Sequence, residues 1–212
     1  PTIAGGGVRD AASGDASAGF SAGQYISIFG SGLADTLKVF AGSELPLSIA
    51  RTSVSFDNEA ARVSVPGRLQ FVSIGQINVQ IPWELEGLAT VDMKVSIGDF
   101  SSAVLLLPLR TANPSFFEYF ESGTNRRYVA ALDAEFQVLS TANPVVRGQV
   151  AQLFVNGLGP VDTKVGSGQV SGSNPLSRNN SVPEVRIGGR VAQVLFSGLA
   201  PGIVAVSYTH LR

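Results

Sequence analysis

The chain contains no cysteine and a single histidine, His210, near its end. The first absence excludes disulfides and thiolate-held metals. Together the two leave residues 1–209 without material for an imidazole-based triad, a cysteine nucleophile or an ordinary zinc site. Charge is scarce as well: 15% of residues are charged, against about 25% in an average domain. Lys and Arg number 15 and Asp and Glu 16, giving a net charge of −1 and no basic run. That argues against a nucleic-acid partner, because phosphate binding needs clustered cations. The longest apolar run, Ala103 to Leu107, falls far short of the roughly 20 residues a membrane-spanning helix needs. No stretch keeps a helical apolar period over three turns, and no Asp-x-Asp run suggests a calcium loop. The opening residues, Pro1 to Gly7, have neither the charged nor the apolar part of a signal peptide and read as cut from something longer.

What is present is punctuation and a repeat. The 24 glycines and 11 prolines divide a chain that is 44% hydrophobic into many short segments, the pattern of short strands and tight turns. Gly23-Gln24-Tyr25-Ile26-Ser27-Ile28-Phe29-Gly30-Ser31-Gly32-Leu33 returns, 125 positions later and without a gap, as Gly148-Gln149-Val150-Ala151-Gln152-Leu153-Phe154-Val155-Asn156-Gly157-Leu158. A second block, Val54 to Ala61, returns as Val185 to Ala192, 131 positions on. Two blocks in the same order argue for duplication. Alternation predicts strands over Tyr25–Phe29, Thr52–Phe56, Ala61–Val65, Leu69–Ile74, Ile77–Ile81 and Val91–Ile97. Ala103–Leu109 reads as a strand buried on both faces or along a junction between the halves, Glu135–Leu139 as another strand, and Gly159–Arg178 as a long loop. Residues 1–22 are small and polar and read as a loop or linker with room for one short strand.

The expected class is all-β, in two tandem Ig-like sandwiches, the second incomplete. The expected divisions are a leading loop at 1–17, a first sandwich at 18–110, a connecting β-hairpin segment at 111–142 and a second sandwich at 143–205.

The order of motifs resembles a bacterial family of uncharacterised C-terminal domains common in acidobacterial (Solibacter-type) proteins. The resemblance is carried by Asp10-Ala11-Ala12-Ser13, Ser27 to Ala34, Gly75-Gln76-Ile77-Asn78-Val79-Gln80-Ile81-Pro82-Trp83, Asn113-Pro114-Ser115-Phe116-Phe117, Asn156-Gly157-Leu158-Gly159-Pro160 and Gly198-Leu199-Ala200-Pro201-Gly202. Each half also resembles, more loosely, the IPT/TIG class of Ig-like domains. The resemblance implies an extracellular or cell-surface accessory module in a larger multidomain protein. It supplies no activity and no functional residues.

The residues themselves suggest no chemistry. Asp57, Glu59, Asp99, Glu118 and Glu121 fall in expected turns, where acids are usually solvated turn formers. Gly30-Ser31-Gly32 lacks the Lys and helix of a phosphate loop. Trp83 and Tyr119 are the only ligand-binding candidates, as rings that could stack on sugars. Phe116, Phe117 and Phe120 read as a seal between the halves. The expectation is a non-catalytic module with a structural, spacer or adhesion role, no enzyme activity, no cofactor and no metal. Its partners are other domains of its parent chain, with polysaccharide or a cell-surface protein as further candidates, and it does not insert into a membrane. The alternative is a carbohydrate-binding module attached to a secreted hydrolase.

Residues 206–212, Val-Ser-Tyr-Thr-His-Leu-Arg, resemble one reading frame of a transposon-type sequencing adapter and are expected to be foreign to the fold, leaving the second half with an exposed sheet edge. Genomic DNA should therefore run from Gly202 into an Asn-Val-x-Val/Ile-Pro strand. A genomic sequence that encodes Val206 to Arg212 overturns this.

Overall fold

The computed structural model describes every residue except Ala18, Thr124, Asn125, Ala205 and Arg212, and describes the backbone but not the side chain of His210. The chain is all-β, with no α-helix among the described residues. The strands in chain order are β1 (Thr2–Asp10), β2 (Phe20–Ser21), β3 (Tyr25–Ser31), β4 (Lys38–Val39), β5 (Thr52–Asn58), β6 (Val63–Pro66), β7 (Arg68–Val72), β8 (Gln76–Gln80), β9 (Thr90–Ile97) and β10 (Phe100–Ser101). They continue with β11 (Leu105–Arg110), β12 (Ser115–Phe116), β13 (Glu118–Phe120), β14 (Arg127–Val129), β15 (Ala131–Leu132), β16 (Ala151–Asn156), β17 (Val185–Ile187), β18 (Arg190–Ala192), β19 (Val194–Leu199) and β20 (Ser207–Leu211). A short 3₁₀ turn at Trp83–Leu85 is the one helical element described.

The first half is a sandwich of two sheets, ordered β1-β3-β8-β7-β4 and β2-β11-β9-β5-β6. Its core follows from period-two alternation. Ile26 opposes Val79 and Ile28 opposes Ile77 in one sheet. Val54 opposes Val95 and Phe56 opposes Met93 in the other. All eight are buried in one cluster together with Leu69, Val72 and Leu107.

The second half repeats the first sheet and little of the second. Its sheet runs β12-β16-β20-β19, with β15 also on β16, and beside it stands the two-stranded β17–β18. The strand register makes the duplication explicit. Ile26 lies opposite Val79, as Ala151 lies opposite Leu211. A β-bulge interrupts β7 between Leu69 and Phe71, and another interrupts β19 between Val194 and Phe196, 125 positions later. The glycines of the repeated motif share their geometry too. Gly23 and Gly148 have φ of 78° and 87°, and Gly32 and Gly157 have 58° and 71°, a region that only glycine enters without strain. At each first glycine the following Gln closes the same turn. Gln24 Oε1 accepts from Ser21 N at 2.8 Å, and Gln149 Oε1 accepts from Val146 N at 3.1 Å.

Several expectations are corrected. Residues 1–17 are not a leading loop, because 2–10 form β1, hydrogen-bonded to β3. Small residues are required there: a Cβ on Gly7 would sit 2.4 Å from Phe29 O, and one on Gly30 would sit 2.0 Å from Thr2 O. Residues 111–142 contain the expected hairpin, β13–β14, but the flanking β12 and β15 belong to the second sheet. Thr2 and Ile3 face Ser31 and Gly30, as Ser115 and Phe116 face Asn156 and Val155. The hairpin is thus inserted where β1 is irregular. Two residues of its expected turn, Thr124 and Asn125, lie outside the described residues.

Glu135–Leu139 is a turn up to Gln137, since Asp133 Oδ1 captures the N–H groups of Glu135 and Gln137 at 3.0 and 2.7 Å, and only Val138 bridges to a strand residue, Leu132. β11 is not buried on both faces: Leu107 and Leu109 point inward while Leu105 and Leu106 are exposed. Residues 207–211, expected to stand outside the fold, form β20 between β16 and β19, the place β8 holds in the first half. Among the described residues β17 pairs with β18 and with no other strand. The genomic sequence decides where residues 206–212 come from.

Matched positions should therefore differ in stability. Phe56→Ala removes a fully buried ring and should cost about 3–5 kcal/mol in urea unfolding. Ile187→Ala, at the corresponding but exposed place, should cost no more than about 0.5 kcal/mol. Equal losses would show that the second repeat has a sandwich core of its own.

Candidate functional site

The repeated motif ends at the joint between the two halves. Asn156 is fully buried, and its side-chain amide pairs with the backbone of Tyr25 as a strand would. Its Oδ1 accepts from Tyr25 N at 3.0 Å, and its Nδ2 donates to Tyr25 O at 2.8 Å. The same Nδ2 donates to Asp10 Oδ2 at 3.1 Å. The buried Asp10 also receives Gln24 Nε2, and its other oxygen receives the N–H groups of Ala12 and Ser13 at 2.8 and 3.0 Å. A buried carboxylate is costly unless several donors meet it; four do so here. Gly157 completes the approach: a Cβ there would sit 2.3 Å from Asn113 O and 3.0 Å from Gln24 Cδ.

Asp10 has its own counterpart. Asp133 follows β15 as Asp10 ends β1, and it caps the same kind of turn. Its second oxygen takes the Asn143 side chain at 2.8 Å. That amide, and next the Gln137 N–H, hold its carboxyl below the usual range. The shared Asp-Ala pair (Asp10-Ala11, Asp133-Ala134) is the sequence signal for this match, and the initial comparison of blocks missed it.

A second contact comes from the expected long loop, which docks on the first repeat. Gly168 N donates to Gln80 Oε1 at 2.6 Å, and Leu45 N donates to Gly168 O at 2.8 Å. Ser167 Oγ accepts from Trp83 N at 2.8 Å and donates to Glu84 Oε2 at 2.6 Å. Lys164 Nζ meets Glu86 Oε2 at 3.0 Å. Gln80, within the Gly75 to Trp83 motif, is thus an inter-repeat hydrogen bonder.

Family models, curated proteins and solved structures give no match to this chain.

Trp83 sits within this second contact. Its ring lies over Gly23, where any Cβ would fall 2.1 Å from the indole. It borders a cleft of about 230 Å³ with Glu84, Glu86, Lys164, Val165 and Ser167. Its Nε1 is buried without a hydrogen-bond partner among the described residues, an arrangement that costs about 1–3 kcal/mol. Tyr119 is elsewhere, on β13. It stacks on Tyr128 with ring centroids 5.9 Å apart, and its hydroxyl donates to Leu139 O at 2.8 Å. The structure therefore does not bring the two candidate aromatics together. Phe117 lines a cavity of about 400 Å³ at the joint with Tyr25, Phe40, Leu45, Val170 and Val204, whereas Phe120 is exposed and seals nothing.

Asp57 and Glu118, expected in turns, lie instead in β5 and β13, paired with neighbouring strands. Asp57 accepts from Ser55 Oγ and Ser64 Oγ at 3.1 and 2.5 Å, and Glu118 pairs with Arg127. Among the described residues no three His, Cys, Asp or Glu gather as a metal site. The His210 side chain lies outside the described residues.

Burial beside this cavity raises the ionisation of the Tyr25 phenol well above its ordinary value. The unfolded chain ionises Tyr near pH 10, while the folded chain keeps the proton. Stability is thus fully present below about pH 10 and is lost as pH rises beyond it, by up to about 1.4 kcal/mol per pH unit. Tyr25→Phe should flatten this alkaline slope in chemical unfolding between pH 9.5 and 11.5 (about the range where an ordinary phenol ionises). An unchanged slope would show that Tyr25 is not the group responsible.

Proposed function

We propose that this chain is a non-catalytic accessory module of a larger extracellular or cell-surface protein. In it, two tandem Ig-like repeats of IPT/TIG type act as a rigid spacer or adhesion unit. The observation that carries this reading is the buried joint in which Asn156 pairs with Tyr25 and Asp10. Such a network fixes orientation, because a buried amide or carboxylate that loses its partner costs about 1–3 kcal/mol or more. A spacer needs that property, since a flexible link transmits neither distance nor direction. The loop contact through Gly168 and Ser167 supplies a second point of attachment, and two points resist rotation as well as separation.

A second reading, a carbohydrate-binding module appended to a secreted hydrolase, draws support from Trp83. The Trp83 ring and the carboxylates of Glu84 and Glu86 line one small cleft, which would give a hydroxyl-rich ligand an apolar ring and acceptors. The cleft is narrow beside the roughly 300–1,000 Å³ of ordinary ligand pockets, so the spacer role is preferred.

Asn156→Ala should lower stability by about 1–3 kcal/mol and broaden the distance distribution between spin labels placed one on each repeat. An unchanged distribution would remove the rigid-spacer reading. Retention on insoluble polysaccharide that Trp83→Ala abolishes would favour the second reading instead.

A further inference from the structure

Among the asparagines of the chain, only Asn156 precedes a glycine. The pair matters chemically. An asparagine Cγ is open to attack by the backbone nitrogen of the next residue. Glycine permits that attack most readily, because no Cβ shields its nitrogen and its backbone turns freely. Asn113, Asn143 and Asn174 are the opposite case, since each precedes a proline, whose nitrogen has no hydrogen to lose. The matching place in the first repeat, Ser31-Gly32, carries no amide.

The joint needs both members of this pair. Asn156 gives Tyr25 N an acceptor and gives Tyr25 O and Asp10 Oδ2 a donor, a set that neither a carboxylate nor a hydroxyl reproduces. Gly157 has φ of 71°, and a Cβ on it would sit 2.3 Å from Asn113 O. Exchanging either residue therefore disturbs the contact. The closed joint in turn shields the pair. The Asn156 amide is fully buried and is held at both its oxygen and its nitrogen, at 3.0, 2.8 and 3.1 Å. While those bonds last, its Cγ is not free to swing onto Gly157 N, and water is kept away.

We propose that Asn156-Gly157 is a self-modifying site that makes a prolonged opening of the joint permanent. In the opened joint, Gly157 N bonds to Asn156 Cγ, and the bond from Cγ to Nδ2 breaks. The proton of Gly157 N leaves with that nitrogen as ammonia. Water then opens the cyclic imide at one carbonyl or the other, which leaves an aspartate or an isoaspartate at position 156. One water is consumed and one ammonia released, with no oxidant and no cofactor. Either product carries a carboxylate, which donates nothing to Tyr25 O and meets Asp10 as a second negative charge. The isoaspartate also lengthens the backbone where it meets Asn113. The proposal rests on the hydrogen bonds of the joint and not on the spacer role.

The full chain is kept in warm neutral buffer, either folded or unfolded in urea, and peptide mapping by mass spectrometry follows position 156. The folded chain should lose its asparagine at least about tenfold more slowly, because reaction waits on opening. Asp10→Ala removes the carboxylate that Asn156 Nδ2 meets and should move the folded-state rate toward the unfolded one. Spin labels, one on each repeat, read closure. Chain unfolded briefly and refolded should regain a narrow distance distribution, whereas chain left unfolded until position 156 has reacted should refold to a broad one, as should Asn156→Asp. Equal rates in the folded and unfolded chain would overturn the proposal, as would an Asp10→Ala rate equal to that of the unchanged folded chain. So would reacted chain that refolds to the narrow distribution.

Discussion

The joint at Asn156 is the interaction on which the arrangement of the chain depends. Each repeat brings to it what its own fold has already fixed. The turn at Gly23 presents Gln24, the end of β1 presents Asp10, and the end of β16 presents Asn156 with Gly157 behind it. None of the three polar side chains reaches water. Each is therefore committed to the others, and separation would leave an amide and a carboxylate buried without partners or newly in need of solvent. Apolar contact alone is less directional. The cluster of Leu45 and Val204 with Tyr25, Phe40 and Val170 fills the space beside the joint, and the hydrogen bonds set its geometry.

The duplication explains what has been kept and what has diverged. The kept features belong to backbone geometry: glycines at positive φ, a Gln that closes the turn, an Asp that caps the turn after the first strand, and a bulge at the same place. These depend on local chain shape, which both copies share. The diverged features concern burial. Ser31 at the end of β3 becomes the buried Asn156, because only the second copy has a neighbour at that end. Phe20 and Phe56 correspond to the smaller Val145 and Ile187. In the second half Phe196 packs tilted against Tyr208 with ring centroids 4.9 Å apart, and the Arg178 guanidinium lies 4.9 Å over the Phe196 ring.

Much of the strand content was legible in the sequence, because alternation, glycine and proline are local signals. β1 was not legible, since Gly5-Gly6-Gly7 and small polar residues look like linker when the close approach of Phe29 O and Thr2 O is unseen. Glu135–Leu139 failed for the opposite reason: its apolar residues suggest a strand, but the Asp133 side chain satisfies the backbone locally. At the joint, Asn156 was visible only as a member of the repeated motif. Its role depends on Asp10, 146 positions away in the chain, and no spacing rule connects them. Trp83 was singled out by residue type, and the structure adds the cleft and the orphan N–H.

The sequence by itself determined the all-β class, the duplication, the turn positions and the poverty of catalytic groups, because each is a matter of composition or of contacts within a few residues. The tertiary structure decided which polar residues are buried at the joint and which distant residues they meet there. Those outcomes depend on contacts between distant segments. Whether a given Val or Asn faces core, partner or water is set by what packs against it, and its neighbours in the chain do not encode that.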